Sequence, residues 1–180
     1  MKDIFNDFYA FGQFVEENCP STEILHVQEY GKHGNCAIIK VSSFKDCETL
    51  FKDCTKWCIA GNEQYWNQYA GPLTDNSQYF IINFAMEDSE IFKLIGFTVS
   101  PEGKLTAAHA INDDDLLKDK SVKYRRYKLK NGYWLNSFGK DCANGFWQYA
   151  KAFGIKKFIK YQIMGEEEKN LNYLFKKLFY

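Results

Sequence analysis

The sequence predicts an α+β fold, a single domain over residues 1–180 in which an antiparallel sheet of five or more strands is covered by N-terminal and C-terminal helices. Three observations predict it. Apolar residues recur at helical spacing near both ends of the chain, at 3–17 and again beyond 137. Between 23 and 111, short β-branched and aromatic runs are punctuated by turn residues. The chain has 180 residues, 46% of them apolar, which suffices for one sizeable core and is short for two.

The elements follow in order. Within 3–17, Ile4, Phe8, Phe11 and Val15 stand at i, i+4, i+7 and i+11, so one side of a helix is apolar. Residues 23–30 and 35–42 flank Gly31-Lys32-His33-Gly34, a tight-turn composition, and read as a β-hairpin. Ser43 opens a helix reaching Cys54, with Asp46 three positions on as a weak capping box and Phe44, Cys47, Phe51 and Cys54 along one face. Gly61-Asn62 starts a short helix carrying Tyr65, Trp66 and Tyr69, which Gly71-Pro72 ends before a polar loop over 73–78.

Residues 79–85, 92–100 and 104–111 read as three strands, the last two joined by Pro101-Glu102-Gly103. Residues 122–130 add an edge strand, since edges tolerate their crowded charges. Behind a Ser137 cap, Phe138, Cys142, Phe146, Tyr149 and Phe153 recur at helical spacing. A last helix places Glu166 to Glu168 in its first turn and Lys176-Lys177 near its end, the charge order its dipole favours.

Composition narrows the function classes. No apolar run approaches the roughly 20 residues that span a bilayer, and Met1-Lys2-Asp3-Ile4-Phe5 does not open a signal peptide. A cytoplasmic protein without a membrane partner is expected. In that compartment the six cysteines act mainly as small buried hydrophobes. The zero net charge conceals an asymmetry: residues 1–90 hold 6 Lys+Arg against 14 Asp+Glu, and residues 91–180 hold 17 against 9. If the halves segregate in space, the molecule has two electrostatic faces.

Phosphate loops, dinucleotide-binding glycine patterns, His-Glu-x-x-His and Gly-x-Ser-x-Gly are all missing, which removes the common enzyme classes that depend on them. Cys58 with His109 is the first nucleophile and base pair to consider, but Trp57 and Ile59 give the thiol an apolar context, and a packed core cysteine is the plainer reading. His33, Cys36, Cys54 and Cys58 offer zinc-ligand types at loose spacing, against the reading of one turn histidine with buried thiols. Asp113-Asp114-Asp115 reads as a solvated turn or helix cap in preference to a cation site, since consecutive carboxylates point in different directions. No residue is therefore assigned a catalytic role, no metal site is assigned, and no cofactor is expected.

Two sets of residues remain as binding candidates. Between 118 and 160 the chain holds twelve Lys and Arg against Asp119 and Asp141, with aromatic residues interleaved. Its centre is Lys123, Tyr124, Arg125, Arg126, Tyr127, Lys128, Lys130 and Trp134, a mixture in which cations neutralise phosphates and rings stack on bases. A second set, Trp57, Tyr65, Trp66 and His109, either lines an aromatic pocket for a planar ligand or packs in the core, and packing is the better supported of the two.

Thr55-Lys56-Trp57-Cys58-Ile59-Ala60, then Tyr65, Tyr69 and Gly71, the run Tyr79 to Phe84, and Ile95-Gly96-Phe97-Thr98 resemble a group of uncharacterised proteins encoded by bacteriophages and other mobile elements. The resemblance covers about a third of the chain and carries no assigned reaction. It implies a phage-type protein that antagonises host machinery in the host cytosol. Together with the basic aromatic segment, it yields the leading expectation of a non-enzymatic inhibitor of a nucleic-acid-dependent defence enzyme, of the anti-CRISPR kind. Its expected partner is a host protein or nucleoprotein, with nucleic acid or a nucleotide as the alternative partners. The alternatives are a sponge that sequesters a nucleotide signal, or a small enzyme acting on nucleotide or RNA.

Overall fold

The computed structural model describes residues 2–31, 34–71, 73–84, 86–91, 93–101, 105–113, 124–128 and 134–138. Its centre is a five-stranded antiparallel sheet in the order β1 (Thr22–Gly31), β2 (Gly34–Val41), β3 (Ser77–Asn83), β4 (Leu94–Val99) and β5 (Leu105–Ala110). Each strand pairs with its sequence neighbour, so the α+β class and the meander follow the predicted elements closely. Four helices enter before β3: α1 (Phe8–Asn18) precedes the sheet, and α2 (Phe44–Phe51), α3 (Cys58–Gly61) and α4 (Glu63–Tyr69) link β2 to β3.

The expected helix over 3–17 breaks in two. A 3-10 turn spans Asp3–Asn6, and Asp7, extended at φ −138°, caps α1 by accepting hydrogen bonds from the N–H groups of Tyr9 and Ala10. The break turns Phe5 inward beside Phe11 and Val15. Ser43 caps α2 as its position predicts, accepting from the Asp46 N–H, but the helix ends at Phe51 and not at Cys54. Thr55 closes that end, with its N–H and hydroxyl both donating to the Phe51 carbonyl at 3.0 and 2.9 Å. Asp46 has a larger task than a capping box. Buried, its carboxylate accepts from Ser21 N–H at 2.7 Å and Thr22 Oγ1 at 2.8 Å, tying α2 to the start of β1.

The strand predicted over 122–130 is corrected. Its core, β6 (Tyr124–Lys128), pairs with β7 (Trp134–Phe138) in a separate two-stranded sheet and does not extend the main one. Pairing across the short connection 129–133 closes a smaller loop than pairing with β5, and so costs less chain entropy. The same ladder corrects the Ser137 helix cap. Ser137 and Phe138 are ladder partners of Arg125 and Tyr124, so their backbone is committed to a strand. The C-terminal helices expected beyond β7, Glu102 and Gly103 of the predicted turn, and His33 of the hairpin turn lie outside the described residues.

One sheet face carries Ala37, Ile39 and Val41 of β2, Phe80 and Ile82 of β3 and Leu94 of β4, and α1, α2 and α4 pack there with Phe11, Val15, Cys47, Leu50, Phe51 and Trp66. Rings dominate this core. Phe51 stacks on Phe5 at 5.7 Å and lies 4.2 Å from Phe80 and 5.2 Å from Trp57. The opposite face is buried as well, at Ile38, Tyr79, Ile81, Ile95 and Phe97, which explains why β3 reads as an apolar run with no alternation. Lys93, fully buried, donates to the Met86 carbonyl at 2.8 Å and the Asn83 carbonyl at 3.4 Å, clamping the chain that links β3 to β4. No helix among the described residues is long and apolar enough to cross a membrane.

Candidate binding cavity

A cavity lies where the helical layer reaches the last strand of the sheet. After α2 the chain runs past the end of β5, where the Lys56 N–H donates to the Ile111 carbonyl at 3.1 Å and Trp57 Nε1 to the Ala110 carbonyl at 2.7 Å. These two bonds station α3 and α4 over β3, β4 and β5. Trp57 also packs on Phe51 and Phe80, so its ring is both the edge of the core and a wall of the cavity.

The space measures about 370 Å³, within the range of pockets that hold small molecules. Small side chains create it. The ladder sets Gln78 beside Thr98 and Thr98 beside Ala107, and likewise Phe80 beside Gly96 and Gly96 beside His109, so these residues share the face that the core uses further along. Gly96 and Ala107 leave the floor low. At Gly96 a Cβ would lie 3.1 Å from Phe80 Cε1, so any side chain there would push that ring aside. Ile59 and the half-exposed Tyr69 add apolar wall.

Polar groups enter in fixed orientations. Thr98 Oγ1 donates to Gln78 Oε1 at 2.5 Å, both residues being buried, and the Gln78 amide nitrogen keeps only a long bond to the Tyr79 carbonyl at 3.4 Å. That nitrogen retains donor capacity toward the cavity. At the rim, His109 Nδ1 lies 3.1 Å from Asp113 Oδ1 and 3.2 Å from the Asp113 carbonyl. Both neighbours accept, so Nδ1 carries a proton and Nε2 is the ring nitrogen left to meet a ligand. Asp113 holds this position with a left-handed backbone, φ 70°, fixed by its N–H donating to the Ala110 carbonyl at 3.0 Å.

Cys58 is a correction: it is exposed at the cavity and not packed in the core. Trp57 takes the inward position, and the residue after it faces out. Partial burial against the wall still raises the thiol above its ordinary value of 9.0, the Asp113 carboxylate adds to that, and the N–H groups of Ile59 and Cys58 act in the opposite direction. Cys19 and Cys47 are buried, as expected of small hydrophobes, and Cys54, half-buried, donates its S–H toward the carbonyls of Leu50 and Phe51. Among the described residues no group of three metal-ligating side chains could hold an ion.

The structure brings Trp57 and His109 together in the cavity and leaves Tyr65 and Trp66 out of its lining. Trp66 faces the core, while Tyr65 stands 44% exposed on α4, its ring 6.4 Å from that of Tyr69. Tyr69, Gln78, Gly96, Thr98 and Ala107 were missed as site residues. The available signal was a strand segment, Thr106-Ala107-Ala108-His109-Ala110, too small-sided to fill a core. Of the basic set, Tyr124, Arg125, Arg126, Tyr127 and Lys128 lie on β6 and Trp134 on β7, with Lys128 the ladder partner of Trp134. Lys123 and Lys130 lie outside the described residues, as do Asp114 and Asp115. No protein-family model, curated protein or solved structure matches the chain.

Proposed function

We propose that the protein acts by binding a small planar molecule in the cavity beneath α3 and α4. The observation that carries this reading is the preformed space itself, about 370 Å³, walled by Trp57 and Tyr69 and supplied with a Gln78 donor and a His109 acceptor on one sheet face. Aromatic walls with a few convergent polar groups suit a flat heterocycle that presents both an acceptor and a donor. Among the described lining residues there is an Asp and neither Lys nor Arg, so the ligand is uncharged or cationic, a nucleobase or nucleoside in preference to a nucleotide.

Thermal unfolding against a panel of nucleobases, nucleosides and their 5′-phosphates tests it. An uncharged member should raise the melting temperature, by about 2.7 kcal/mol of linkage at a hundred times its Kd, and its phosphate should raise it less. No shift with any member, and nothing small carried through purification in native mass spectrometry, would refute the proposal.

The β6–β7 ladder supports a second reading. Arg125, Arg126 and Lys128 with Tyr124 and Tyr127 occupy one strand of a hairpin whose other strand begins at Trp134. This supports an inhibitor that engages a nucleic-acid-dependent host enzyme, as the phage-type resemblance implies. Changing Arg125, Arg126 and Lys128 to Glu should abolish binding to the nucleoprotein target and flatten its salt dependence. Affinity unchanged for every nucleic acid and nucleoprotein tried would discard that reading.

A further inference from the structure

The geometry points to acyl-transfer chemistry in the same cavity, with Cys58 as the nucleophile, His109 as its base and Asp113 as the residue that positions the imidazole. This rests on the reading of the cavity as a ligand site. Cys58, His109 and Asp113 all line that one space, although Cys58 and His109 stand 51 positions apart in the chain. The thiol is exposed there and not packed away. The Nδ1 contacts of 3.1 and 3.2 Å to Asp113 commit that nitrogen as a donor and leave Nε2 as the basic atom. A nucleophile, a base and a group that orients the base are the three parts that thiol catalysis requires.

Other features fit the same chemistry. A positive-φ Asp113 is a strained conformation held in place by its bonds to Ala110 and His109, the kind of strain that concentrates at functional sites. Backbone N–H groups of Cys58 and Ile59 favour negative charge at Sγ. Burial and the Asp113 charge keep the resting thiol protonated. The base must therefore remove the proton during attack, in contrast to sites that store a thiolate beforehand.

In the reaction, Cys58 Sγ attacks the carbonyl carbon of an ester as its proton passes to His109 Nε2 and the carbonyl π pair moves onto oxygen. That pair returns as the bond to the leaving oxygen breaks, and His109 gives the proton to the departing alcohol. An S-acyl Cys58 remains. Water, deprotonated by Nε2, then adds to the thioester and expels the thiol, releasing a carboxylic acid. The acyl group this cavity accepts is planar and uncharged, since the walls are the rings of Trp57 and Tyr69 and the charged residue at the rim is an acid.

p-Nitrophenyl benzoate is the test ester, with phenolate release followed in time and intact and peptide mass spectrometry locating the benzoyl group. The expected result is a burst of one equivalent with the label on Cys58. Cys58→Ala abolishes the burst, and His109→Ala slows it at least a hundredfold, with partial recovery in added imidazole. Asp113→Ala slows it about tenfold at an unchanged half-saturating ester concentration, the signature of lost positioning. Labelling of Cys58 at the wild-type rate in His109→Ala, or spread evenly over other thiols, overturns the proposal. Benzamide, which fills the site without transferring its acyl group, separates the two readings by thermal shift. Benzamide bound with Cys58 unacylated by the ester overturns the chemistry alone, and neither event overturns the chemistry and the ligand site together.

Discussion

One sheet face is filled beneath α1, α2 and Trp66 of α4, and hollow where Trp57, Ile59 and Tyr69 overhang β4 and β5. In the filled part, Phe5, Phe11, Phe51 and Phe80 pack ring on ring with Ala37, Ile39 and Ile82 beneath them. In the hollow part the strands present Gly96, Thr98, Ala107 and His109, and the helices above bring Trp57, Ile59 and Tyr69. The backbone ladder continues through both parts, so geometry of the sheet does not separate them. Side-chain volume does. A core closes only where the summed volumes meet native packing density, and where they fall short by several side chains the gap persists as a cavity.

The largest effect should come from emptying the filled part. Phe51→Ala removes a fully buried ring touching three others, and should cost about 3–5 kcal/mol in urea unfolding. A loss below about 1 kcal/mol would mean that the filled region is as loosely packed as the hollow one.

Thiol labelling compares the two parts directly. Cys47, buried under the filled part, should react with iodoacetamide more than about a hundredfold more slowly than Cys58, because it waits for local opening. Only the thiolate reacts, and burial followed by the Asp113 charge raises the Cys58 thiol. Its labelling rate should therefore keep rising above pH 9, where an unperturbed thiol levels off, and Asp113→Asn should move that rise to lower pH. Peptide mapping reads both.

Gly96→Ala tests the boundary. The added methyl meets the Phe80 ring at 3.1 and 3.3 Å, so the ring must shift, at a cost of about 1–3 kcal/mol by chemical denaturation. Ala107→Leu should do least to stability, within about 1 kcal/mol, because the added atoms enter empty space. It should still abolish ligand-induced thermal shifts. A large destabilisation by Ala107→Leu would show the cavity to be smaller in solution than its shape implies.

Alkaline pH acts on the filled part in the same sense. Burial, ahead of the Asp46 charge, pushes Cys19 from 9.0 up to about 11, and burial drives Cys47 higher still. Above pH 9 the unfolded thiols ionise while the folded ones stay protonated, so this contribution to stability is complete below 9 and is lost as pH rises through 11.

Much of the fold was legible because local signals agreed with tertiary needs. Ser43 caps where its position says, the glycines around residues 31–34 join a hairpin, and the apolar run at Tyr79 to Asn83 is the central strand. Asp7 illustrates the limit. Helical periodicity continues across it, yet its side chain serves the Tyr9 and Ala10 N–H groups better as a cap than as part of a longer helix. The strand at Tyr124–Lys128 was legible as a strand, but its partner was not, since pairing is a choice among edges that composition does not rank. Cys58 was misread because an apolar neighbourhood in sequence says nothing about which residue of the neighbourhood turns inward.

The sequence by itself determined the α+β class, the five strands of the main sheet and the helices α1, α2 and α4 with their approximate ends, and Trp57 and His109 as candidates for one site. Periodicity, caps and turns act over a few residues, and those can be read directly. Only the tertiary structure decided that Cys58, His109 and Asp113 line one cavity with Gly96 and Ala107. Their meeting depends on the strand register that sets Gly96 beside His109 and on two hydrogen bonds from Lys56 and Trp57 to the end of β5. The two hydrogen bonds join residues more than fifty positions apart, and such pairing is fixed by how the whole chain packs.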